Sequence, residues 1–140
     1  MGNKTLTQEY ALYAYGCIEE VKGLNLQSDY KTKVRKLPSM ITHNGLLTAL
    51  TFLYSKAKFK NEKNENAPNA EALLLKHIIV WLRNEENPQI EIDKSEISSF
   101  IKELAEIDFQ HLMLYSRRAL TLAQWLKRLA EGEFEDAKDE

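Results

Sequence analysis

The chain has 140 residues, 44% apolar and 29% charged, and its 19 lysines and arginines against 21 acids leave a net charge of −2. That composition is ordinary for a soluble globular domain, and as one unit such a length buries about two thirds of its unfolded surface. No apolar run approaches the roughly 18 residues of a membrane span, and the lone cysteine, Cys17, excludes an intramolecular disulfide or a cysteine-cluster metal site.

The start MGNKTLTQEYALY lacks the apolar core of a signal peptide. With so little cysteine, a reducing, cytoplasmic setting is expected. Helical stripes account for nearly all of the sequence, and no segment alternates with the period of a strand. Leu6, Tyr10, Tyr13, Cys17 and Val21 recur at three- and four-residue steps and predict a first helix ended by Gly23. Cys17 reads as a small buried hydrophobe within it. Ser28 or Asp29 can cap a second helix with Tyr30, Val34 and Leu37 on its inner side. Pro38 either kinks that helix or opens a new short one. Asn44-Gly45 marks the next boundary, with Asn44 read as the cap of a third helix burying Leu46, Leu50, Leu53 and Ala57.

Residues 61–71 are polar and proline-bearing, and predict the longest internal loop. A fourth helix carries Leu73, Leu74, Ile78, Trp81 and Leu82; a fifth spans Lys94 to Glu106 with Ile97, Ile101 and Leu104 inward. A long sixth helix turns Leu112, Tyr115, Ala119, Leu122, Leu126 and Leu129 to one side. The expected fold is all-α: a single compact bundle of about six helices over residues 1–130, with 131–140 as an acidic, disordered tail.

The charges are segregated. From Tyr30 to Asn61 there is no Asp or Glu, but there are seven cations: Lys31, Lys33, Arg35, Lys36, Lys56, Lys58 and Lys60. From Phe109 to Ala130 there is again no acid, while Arg117, Arg118, Lys127 and Arg128 are present. The other 86 residues hold all 21 acids and only 8 bases. A single exposed lysine means little, but two long acid-free windows together suit a polyanion, because carboxylates beside phosphates weaken every neighbouring contact. In the second helix Lys31 and Arg35 flank one side of the apolar stripe, and Lys33 and Lys36 the other. In the sixth, Arg117, Gln124 and Arg128 share the face opposite the core.

Nothing points to catalysis. His43, His77 and His111 have no partner at i+4 for a helical metal pair, and no arginine precedes a histidine at nuclease spacing. His77 and His111 read as packed, hydrogen-bonded histidines. No glycine-rich phosphate loop or nucleophile elbow occurs. No metal and no cofactor is expected, and the reading is of a binding protein.

The segment DYKTKVRKLPSMITHNGLLTALTFLYSKAK, residues 29–58, resembles the most distinctive part of the small helical subunit of Cmr-type (type III-B) CRISPR effector complexes. The likeness rests on Tyr30, Arg35-Lys36, Leu37-Pro38, Met40-Ile41, Asn44-Gly45-Leu46, Ala49, Phe52-Leu53 and Ser55-Lys56. It continues in LLLKHIIVWL (73–82) and YSRRALTLAQWLKRLAEGEF (115–134). The resemblance implies a non-catalytic subunit that stacks with neighbouring copies of itself along backbone subunits and holds guide RNA and target RNA. Lys31, Lys33, Arg35, Lys36, Lys56, Arg117 and Arg128 would then neutralise phosphates, with sequence read by base pairing. Pro38, Asn44 and Gly45 would form a structural junction, Gly45 meeting either a close approach or a left-handed backbone. The alternative is a helical protein–protein adaptor that docks acidic partners and binds no RNA; a small enzyme is the third and weakest reading.

Overall fold

Thr5 and Gln8 open the first helix reciprocally: the Thr5 hydroxyl accepts from the Gln8 amide and the Gln8 side chain accepts from the Thr5 amide. The computed structural model, which describes residues 3–59 and 68–135, contains six helices and, among those residues, no strand. They are α1 (Leu6–Gly23), α2 (Gln27–Asn44), α3 (Leu46–Lys56), α4 (Ala70–Leu82), α5 (Lys94–Glu106) and α6 (Phe109–Glu133). Asn69, Asp93 and Asp108 cap α4, α5 and α6 by accepting backbone N–H groups that no helix bond would satisfy.

Helix α1 ends at Gly23, as expected, and the reversal that follows belongs to Asn25, left-handed at φ +58°. Leu26 N–H returns to Val21 O and Asn25 N–H to Lys22 O, the paired bonds of a Schellman motif. Asn84, at φ +63°, closes α4 in the same way. Since that reversal runs straight into α2, Leu26 becomes its N-cap, without a side-chain bond, and Ser28 and Asp29 fall inside the helix. Asp29 there faces the positive end of the helix dipole instead of capping it.

The junction between α2 and α3 is Gly45 alone. Helix α2 is continuous through Pro38, and Asn44 is its final residue, not the cap of α3. Gly45 N–H closes α2 on Ile41 O and Gly45 O accepts from Ala49, so one residue ends one helix and begins the next. Its φ of +88° and ψ of 159° lie where essentially only glycine goes. A Cβ at Gly45 would meet nothing within 4 Å, so the backbone, not close approach, requires the glycine.

Helix α4 is the centre. Ala70 and every residue from Ala72 to Leu82 are buried, as a helix surrounded on all sides demands. It is covered by α2, α3, α5 and α6 and, through Tyr10 and Tyr13 against Trp81, by α1. The loop after α4 packs on α1 at Gly16, where a Cβ would come within 2.7 Å of the Pro88 ring. Asn69 ties α3 to α4: its side chain accepts from the Lys58 amide and donates to Lys56 O.

Several apolar expectations shift, and Ala57, expected in the buried stripe of α3, is the half-buried residue just past its end. Leu6 is exposed, and Phe100 is buried where Ile101 is only half so. In α6, Ala119, Leu122 and Leu126 are buried as expected, while Leu112, Tyr115 and Leu129 are half-buried. The acidic segment starts later than residue 131: Glu131 to Glu133 are helical, and Phe134 is buried against the core. Residues 136–140 and most of the predicted 61–71 loop lie outside the described residues, and 70–71 belong to α4.

Candidate nucleic-acid interface

The most extensive helix pairing in the bundle joins α2 to α6, so the two acid-free windows are adjacent. Lys31 meets Phe134 and Arg35 meets Glu131, which fixes the pair as antiparallel. Tyr30, Val34, Leu37 and Ile41 of α2 and Ala119, Leu122, Ala123, Leu126 and Ala130 of α6 point inward. Their periodicity leaves Thr32, Arg35, Lys36, Ser39 and His43 exposed on α2, and Arg117, Gln124 and Arg128 exposed on α6. Across the far flank of α2, Lys33 and Lys56 sit beside the start of α4, where Lys33 pairs with Glu71 at 3.8 Å and Asn69 binds the Lys56 carbonyl.

The seven cations proposed from sequence therefore separate. Lys31 is not on the surface: it is 5% exposed and donates to Phe134 O at 2.7 Å. That bond satisfies a carbonyl at the end of α6 and explains why a lysine is tolerated on an inner flank. Lys33 is half-buried and pairs with Glu71 at 3.8 Å, and Arg35 is exposed with Glu131 at 3.9 Å. Lys36, Lys56, Arg117 and Arg128 are exposed, and among the described residues no carboxylate lies within ion-pair distance of them. Arg118 points the other way and donates to Trp81 O, Leu82 O and Asn84 Oδ1, satisfying the carbonyl end of α4.

A second polar assembly, not foreseen from sequence, lies inside the bundle. Glu20 of α1 accepts from Lys76 at 2.7 Å and from His77 Nε2 at 2.8 Å. His77 is fully buried, and its Nδ1 lies 2.8 Å from the Tyr30 hydroxyl, while Tyr13 donates to the His77 carbonyl. These contacts assign the tautomer: Nε2–H donates to the carboxylate, and Nδ1 accepts from Tyr30. Burial pushes the Glu20 carboxyl up, but bonds from His77 and Lys76 outweigh it and hold the group below the usual range. Burial holds His77 below its ordinary value against the pull of Glu20. The assembly joins α1, α2 and α4, and His77 is the packed histidine that the sequence suggested. His111 is hydrogen-bonded too, to Asp108, but on the surface at the start of α6. The two neighbours in LLLKHIIVWL that could not sit unpartnered in a core were the available signal for this network.

Among the described residues, no group of three histidines, cysteines or acids could hold a metal, and no helix is long and apolar enough to cross a membrane. The sequence model of the family described as "CRISPR-associated protein (Cas_Cmr5)" matches residues 6–133. A relative described as "CRISPR system Cmr subunit Cmr5", from Thermotoga maritima, is 31% identical over 134 residues, covering 94% of this chain and 86% of the relative. The match runs from the first residue of α1 to the last of α6, so it takes in the whole bundle, and the chain belongs to the Cmr5 family of CRISPR-associated proteins.

Proposed function

We propose that this chain is a non-catalytic small subunit of a type III-B Cmr CRISPR effector complex and holds guide RNA and target RNA through phosphate contacts. The observation that carries the reading is the packing of α2 against α6, both drawn largely from acid-free windows and both bearing exposed cations. Lys36, Arg117 and Arg128 supply cations with no carboxylate within ion-pair distance among the described residues, and Lys56 extends the charge across α2. The pairs of Lys33 with Glu71 and of Arg35 with Glu131 are long, at 3.8 Å and 3.9 Å, and the second, on the surface, is worth about 0–1 kcal/mol. No base-reading geometry is required, since pairing with the guide supplies sequence specificity.

Protein contacts are supported at another place. Leu6, Leu12 and Leu114 are exposed around a groove of about 820 Å³ floored by Tyr10 and Trp81, and Phe109 and Met113 stand out from the start of α6. Apolar surface gathered at one end of a small subunit suits backbone subunits or neighbouring copies of itself.

The test is the salt dependence of binding to single-stranded RNA. With about four phosphate contacts, log affinity falls against log salt with a slope of about −3. An adaptor that docks acidic proteins would show no RNA binding even at low salt, and that result would remove this reading.

A further inference from the structure

Helices α1 and α6 pack against each other, and their seam opens outward as a cleft of about 310 Å³. Thr7 and Tyr10 of α1 line one wall, and Arg117, Thr121 and Trp125 of α6 the other. The three α6 residues follow one another by single turns, along the edge of the exposed stripe that also carries Gln124 and Arg128. The cleft therefore adjoins the cation-bearing face of α6.

Two properties separate it from the larger groove beside Leu12 and Leu114. No carboxylate lines the cleft, whereas Glu9, Glu85 and Glu86 line the groove. Its polar groups are also unspent. Tyr10 is 5% exposed, yet its hydroxyl has no hydrogen-bond partner among the described residues. The Nε1–H of half-buried Trp125 has no acceptor there, and the Arg117 guanidinium has none either. Arg118, at the same seam, is by contrast engaged with Trp81 O, Leu82 O and Asn84 Oδ1.

We infer that this cleft holds one unpaired nucleobase of a bound RNA chain, an inference that rests on the RNA reading above. A nucleobase supplies what the cleft lacks: a flat face for the Trp125 indole and edge atoms for the donors around it. Its own phosphate reaches Arg117 on the rim. An apolar side chain in the same place would leave the Tyr10 and Trp125 donors covered without acceptors. Stacking accepts any base, so the contact adds affinity and leaves sequence to guide pairing.

The test compares full-length protein on two short labelled RNAs, oligouridine and the same ribose-phosphate chain without bases. The parent binds oligouridine about tenfold more tightly. That ratio persists as salt rises, because stacking releases no counterions. Trp125→Leu binds both chains with the parent's affinity for the base-free one. Thr7→Trp, from an exposed position on α1, fills the cleft without touching the core and brings the same loss. Equal affinity of the parent for the two chains overturns the inference and leaves the phosphate reading standing. A preference for bases that survives in Thr7→Trp also overturns it, by placing the base elsewhere. Binding of neither chain at low salt removes the RNA reading and this subsite with it.

Discussion

The centre of α4 and the outer face of α2 both place cations among apolar neighbours, as LLLKHIIVWL and KTKVRKLPSM, yet the fold uses them in opposite ways. In α4, Lys76 and His77 converge on one carboxylate of α1, and each polar atom of the group has a partner at hydrogen-bond distance. On α2, Lys36 faces outward with no carboxylate within ion-pair distance among the described residues, and Arg35 stands on the surface with Glu131 at 3.9 Å. Matched charge in a dry interior holds helices together; weakly matched charge in water is available to something else. Lys31 lies on the second helix but belongs with the first group, since its ammonium is spent on Phe134 O.

The largest test of this contrast removes the shared acid. Glu20→Ala leaves Lys76 and His77 buried without their acceptor and costs about 3–5 kcal/mol, whereas Lys36→Ala changes stability by less than about 0.5 kcal/mol. Urea unfolding of both variants checks the pair, and equal midpoints would erase the distinction. Lys31→Met comes next: it keeps the apolar stem but strands the Phe134 carbonyl, for a loss of about 1.5 kcal/mol. A surface lysine would show no such loss, so a parent-like midpoint would return Lys31 to the exposed set.

The pH dependence is smaller and follows from the same network. His77 is held neutral, so below pH 6.5 the unfolded chain binds a proton that the native state refuses. Glu20 is held ionised, and its contribution is present above about pH 4.5 and lost as pH falls through its lower native value. Stability is therefore level above pH 7 and declines on acidification, by at most about 1.4 kcal/mol per unit for each group. Denaturant titrations at several pH values check this, and His77→Gln removes the upper part of the decline. A decline that survives in His77→Gln between pH 7 and 5 would place its source elsewhere.

Sequence periodicity disclosed all six helices, because each carries an apolar stripe that burial requires: the fifth was read to its ends, Lys94 and Glu106. What it could not disclose were contacts between residues far apart in the chain. The bond from Lys31 to Phe134 spans 103 positions, and the one from His77 to Glu20 spans 57. No local pattern distinguishes Lys31 from Lys36, since both flank the same stripe; the end of α6 decides it. Gly23 does end α1, but the left-handed residue after it is Asn25, and only the hydrogen bonds to Val21 and Lys22 reveal that. The adjacency of the two acid-free windows was expected only because both suit one polyanion; no local pattern shows it, although the windows themselves were plain.

The central claim is that the exposed cations of α2 and α6 form one surface for phosphate. It is tested most directly by the affinity of Lys36→Glu/Arg128→Glu for labelled single-stranded RNA at low salt, measured by fluorescence anisotropy. Neither residue supports the core, so the unfolding midpoint stays with the parent, while RNA affinity falls at least about tenfold. An affinity equal to the parent's would contradict the account.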